Sequence, residues 1–68
     1  MLWIVKGSSS YLITSCNIAE NNGEFQLWVE RSNGKSLKIE QSADEQEIKT
    51  IKEAIDYAIE NNEQALRL

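Results

Sequence analysis

The chain predicts an α+β fold: a four-stranded antiparallel meander followed by one C-terminal amphipathic helix packed on one sheet face (ββββα). Two observations carry it. Asn22-Gly23 and Asn33-Gly34 bracket Glu24-Phe25-Gln26-Leu27-Trp28-Val29-Glu30-Arg31, a run with alternating apolar residues. Asn-Gly accepts the two positive φ angles of a type I′ turn, whose twist suits adjacent antiparallel strands, so each dipeptide predicts a hairpin. Ser42-Ala43-Asp44-Glu45 then opens a segment whose apolar residues recur at helical spacing.

The elements follow in order. Leu2 to Val5 is a short apolar run, Gly7-Ser8-Ser9-Ser10 supplies turn residues, and Tyr11 to Ile18 is rich in β-formers. The strands are therefore expected at about 2–6, 11–18, 24–31 and 36–40. By the period of two, Phe25, Leu27 and Val29 share one side of the third strand, and Leu37 and Ile39 share one side of the fourth. The helix is expected over about 43–60, with Ser42 as N-cap and Glu45 completing a capping box. Asp44 adds negative charge at the positive end of the helix dipole. Ile48, Ile51, Ile55, Ala58 and Ile59 form the apolar stripe. Glu45 with Lys49, and Lys52 with Asp56, are i,i+4 pairs on the solvent side. Asn61-Asn62 offers a cap, while Leu66 falls back in phase with Ile55 and Ile59; the helix is expected to fray after residue 62.

Composition bounds the function. Sixty-eight residues make one small domain whose core is marginal, so oligomerisation is one route to added stability. The single cysteine, Cys16, excludes an intramolecular disulfide, and the absence of histidine removes most zinc sites, so neither metal nor cofactor is expected. A reducing cytoplasm fits a lone thiol. Met1 to Val5 is apolar but is stopped by Lys6 and Gly7, too short for a signal peptide core or a membrane span. Glu40 to Glu63 carries eight acids against Lys49 and Lys52, whereas residues 1–39 are near neutral. Such a balance disfavours direct nucleic-acid binding and anionic membrane surfaces, both of which need clustered basic residues.

Catalysis has no sequence signature. Without histidine, acid–base work would fall to a carboxylate or tyrosine with a strongly shifted pKa, and one helix on a small sheet offers no evident cleft for a small-molecule substrate. Cys16 sits mid-strand among apolar neighbours and reads as a small buried hydrophobe. Ser8-Ser9-Ser10 reads as a solvated hairpin loop, lacking the glycines and following helix of a phosphate cradle. The chain is thus expected not to be an enzyme.

Two interaction surfaces remain. If Leu2, Ile4, Leu12, Cys16 and Ile18 face the helix, then Trp3, Val5, Tyr11, Ile13 and Trp28 face away, a contiguous apolar surface that calls for a cover. The expectation is a cytoplasmic, non-catalytic protein-interaction module, with a homodimer through that face as one assembly. Strand twist, a bulge near Ser15 or a register shift of one residue would instead tuck one tryptophan over the edge of the helix and leave only scattered exposed aromatics. The alternative is an acidic inhibitor that imitates nucleic-acid phosphates through Asp44, Glu45, Glu47, Glu53, Asp56 and Glu60 and occupies the basic groove of a nucleic-acid-binding protein. Lys49 and Lys52 interrupt that row, and an acidic solvated face is ordinary for a helix.

Overall fold

Alternating apolar residues and three tight turns fold the first 42 residues into a meander, which the helix then closes. The computed structural model describes all 68 residues, with β1 (Leu2–Lys6), β2 (Ser9–Asn21), β3 (Glu24–Arg31), β4 (Ser36–Ser42), α1 (Glu45–Glu60) and β5 (Ala65–Arg67). The architecture is α+β: β1 to β4 pair antiparallel, α1 packs on the sheet, and the strand order is β4-β3-β2-β1-β5.

The three hairpins use three kinds of turn. Lys6 pairs with Ser9 across Gly7-Ser8, and Gly7 alone takes positive φ (61°), the pattern of a type II′ turn. Asn21 pairs with Glu24 across Asn22-Gly23, where both φ values are positive (54° and 78°), as type I′ requires. The third departs from the type I′ expectation. Gly34 is positive (84°) but Asn33 is not, the Gly34 amide donates to Arg31 O (2.9 Å), and the Arg31 amide donates to Lys35 O (2.8 Å). This is a three-residue loop with glycine in the left-handed position, stabilised by Asn33 Oδ1 accepting from the Lys35 amide at 3.0 Å.

Two bulges shape the sheet. In β2 the register shifts between Ile13 and Ser15, leaving Thr14 as the extra residue; in β4 it shifts opposite Leu27 and Trp28, leaving Ile39 extra. Bulges bend a strand and increase its twist. The consequence appears at Lys6 of β1, which hydrogen-bonds Ile39 O and lies 3.6 Å from Glu40, both in β4. A flat sheet would hold β1 and β4 about 14 Å apart across β2 and β3. Their contact therefore records a coiled sheet, concave toward α1.

The concave side holds the core: Leu2, Ile4, Ile13, Leu27, Val29 and Ile39 from the sheet against Ile48, Ile55 and Ala58 from the helix, with Tyr11, Cys16, Ile18, Phe25, Leu37, Ile51, Ile59 and Leu66 packed around it. No polar side-chain atom is buried without a partner.

The helix boundaries differ in detail from the sequence reading. The N-cap is Asp44, whose side chain accepts from the Gln46 amide (3.0 Å). Ser42 ends β4 and supports the cap from outside, accepting from the Asp44 amide (3.0 Å) and donating to Glu47 (3.2 Å). Strand pairing of Ser42 with Phe25 fixes its backbone in the sheet, so the cap falls two residues later. At the other end the helix stops sharply rather than fraying. Asn62 takes left-handed φ (55°), the Glu63 amide donates to Ala58 O (2.9 Å) and the Asn62 amide to Ile59 O (3.1 Å), a complete Schellman motif. Leu66 then enters a strand: β5 pairs parallel with β1, Leu66 beside Ile4, flanked by bonds from Trp3 N to Gln64 O (2.9 Å) and from Leu68 N to Val5 O (2.8 Å).

Candidate interaction surface

The strand alternation and the β2 bulge decide what the helix-free convex face presents. In β1, Leu2 and Ile4 are buried, so Trp3 and Val5 point outward, as the sequence predicts. In β2 the prediction is corrected. Ile13 is 0% exposed and pairs with Leu2, and Tyr11, opposite Ile4, packs against the core with Arg31 over its ring at 5.8 Å. Leu12, opposite Trp3, is the residue that faces outward. The cause is Thr14: one inserted residue lets Tyr11 and Ile13 share the concave face with Cys16 and Ile18, although their numbers differ in parity.

Trp28 does lie on the convex face, between the buried Leu27 and Val29, but it is half-buried, and its indole N–H donates to Gln26 Oε1 at 3.0 Å. Its neighbours across the strands are Asn17 and Lys38. Trp3 lies beside Leu12, and along β2 the bulge with Thr14 and Ser15 intervenes before Asn17, so the tryptophans stand roughly 15–20 Å apart by strand spacing. The five predicted residues therefore do not form one patch. What remains is a smaller apolar surface around Trp3 (46% exposed), with Val5 and Leu12 as neighbours and Met1 (74% exposed) preceding it in the chain.

The acidic residues are also dispersed. Asp44 is the cap, Glu47 is held by Ser42 and sits about 200° around the helix from Glu45, Glu45 pairs with Lys49 (3.6 Å), and Asp56 pairs with Lys52 (2.5 Å). Of the six, Glu45, Glu47 and Asp56 have side-chain partners, the Asp44 carboxylate is held by a main-chain amide, and Glu53 and Glu60 have neither. The Lys52 pKa is raised, chiefly by its hydrogen bond to Asp56.

Cys16 donates its thiol proton to Asp56 Oδ1 at 3.3 Å. Burial, then the hydrogen bond and negative charge of Asp56, push its pKa up from 9.0 to about 12, overriding the opposing charge of Lys52. A thiol held protonated in this way is a poor nucleophile. No ligand-sized cavity opens in the molecule, no three potential metal-ligating side chains cluster, and no helix is long and apolar enough to cross a membrane. Comparison with protein-family models, curated proteins and solved structures finds no match.

Proposed function

We propose that the chain is a non-catalytic, cytoplasmic protein-interaction module, homodimeric through the convex face around Trp3, Val5 and Leu12. The observation that carries the reading is Trp3: nearly half exposed in a domain whose buried core is only nine residues, and flanked by apolar neighbours rather than by a cleft. Covering an indole and two aliphatic side chains removes apolar area from water, and tryptophan is enriched among residues that dominate interface energetics. A two-fold arrangement would let the same patch serve both copies, adding hydrophobic burial that so small a domain lacks.

Sedimentation across about a hundredfold dilution tests it, because a coupled association must follow mass action. Wild type is expected to pass from dimer to monomer, Trp3→Ser to remain monomeric, and Trp28→Ser to behave like wild type. An apolar interface holds at high ionic strength. A wild type that stays monomeric throughout rejects the homodimer. Capture of a basic nucleic-acid-binding protein that is lost steeply with salt would instead favour the acidic helix as the working surface.

A further inference from the structure

The two Asn-Gly dipeptides share a covalent chemistry but not a fold, and the difference separates them as modification sites. Asparagine followed by glycine is open to attack by the glycine amide nitrogen on the asparagine Cγ, since glycine carries no side chain to obstruct the approach. The amide proton passes to a solvent base, the side-chain nitrogen leaves as ammonia, and a succinimide ring remains. One water molecule then opens the ring at either carbonyl, giving aspartate or isoaspartate.

We propose that Asn22, in the type I′ turn between β2 and β3, is the deamidation site of this protein, and that Asn33, whose dipeptide is identical, is protected by its loop. At Asn33 both reacting groups are engaged: Oδ1 accepts from the Lys35 amide (3.0 Å), and the Gly34 amide, the would-be nucleophile, donates to Arg31 O (2.9 Å). Attack requires breaking both bonds and rotating a side chain that the loop holds. At Asn22 neither group is engaged. The Asn22 side chain makes no hydrogen bond, and the Gly23 amide, outside the strand ladder, donates to no backbone or side-chain acceptor. Asn22 and Gly23 are both exposed, and the position where a Gly23 Cβ would sit meets nothing within 4 Å, so water and base reach the turn.

The product would matter locally. Either opening places a new carboxylate between Glu20 and Glu24, and isoaspartate also adds a backbone methylene to a two-residue turn whose register is set by Asn21 and Glu24. Both changes loosen the tip of the β2–β3 hairpin, the end of the sheet where Phe25 pairs with Ser42 ahead of the helix cap.

The test is incubation of the intact protein at mildly alkaline pH, with peptide mapping by mass spectrometry over time, in buffer and in denaturing urea. In buffer, conversion at Asn22 is expected to run several-fold faster than at Asn33; in urea, where loop and turn are gone, the two rates are expected to converge. Equal or faster conversion at Asn33 in the folded protein overturns the proposal. So does a folded Asn22 that stays intact over the time in which the unfolded chain converts, because the turn would then protect it. A rate difference that persists unchanged in urea also overturns it, by tracing the selectivity to flanking sequence rather than to the fold.

Discussion

Cys16 Sγ of β2 and Asp56 Oδ1 of α1 are 3.3 Å apart, a contact that joins strand and helix and adds to burial, the larger cause, in holding the chain's single thiol protonated. With the folded pKa raised from 9.0 to about 12, the native protein binds this proton more tightly than the unfolded chain does. The stability it contributes is therefore fully present below about pH 9 and is lost as pH rises toward about 12. Alkylation at pH 8–9 is expected to be slow in buffer and fast in urea. Asp56→Asn, which removes the carboxylate charge, should speed the reaction in the folded state; equal rates for folded wild type and variant would exclude the Asp56 contribution.

The inward turn of Ile13 has a stability signature. Ile13→Ala should cost about 2–5 kcal/mol, as expected for a fully buried aliphatic side chain. For a domain of 68 residues, whose whole stability is roughly 3–10 kcal/mol, that is a severe loss. Urea denaturation would report it as a lowered midpoint. A variant unfolding at the wild-type midpoint would place Ile13 on the outer face.

The start of the helix separates cap from support. Asp44→Ala removes the side chain that accepts from Gln46 and should cost roughly 0.5–2 kcal/mol. Ser42→Ala loses the hydroxyl linking Asp44 to Glu47 and should cost less than the cap itself. Thermal melting of the two variants checks the order; a larger loss at Ser42 would make it the true cap.

The helix end makes a third stability prediction. Asn62 holds left-handed φ at C′, where a β-carbon costs about 1–2 kcal/mol unless the side chain is glycine or a tolerant Asn or Asp. Asn62→Gly should match or exceed wild-type stability, and Asn62→Ala should fall below it. Circular dichroism melts distinguish them, and an Ala variant as stable as the Gly variant would argue against the left-handed cap.

The meander and its helix were legible in the chain before any pairing, because those signals are local. Asn22-Gly23 specifies a type I′ turn through its own φ preferences, the alternation of Phe25, Leu27 and Val29 sets one face within a single strand, and Ile48 to Ile59 repeats at the helical period without reference to any partner. Features that depend on neighbours emerged only on pairing and packing. The Thr14 bulge lies where β2 passes from pairing with β1 to pairing with β3, and it moved Ile13 into the core and Tyr11 against it, away from the expected outer patch, and left Leu12 in their place. Asn33-Gly34 obeyed its loop length rather than its dipeptide. Ala65–Arg67 became a strand because β1 offered an unpaired edge and Leu66 an apolar side chain to cover Ile4, a pairing between chain ends that no local pattern encodes. The partition of Trp3 from Trp28, and with it the size of the candidate surface, followed from that same bulge and from strand spacing. Face and distance on a sheet are properties of its pairing, not of any one strand.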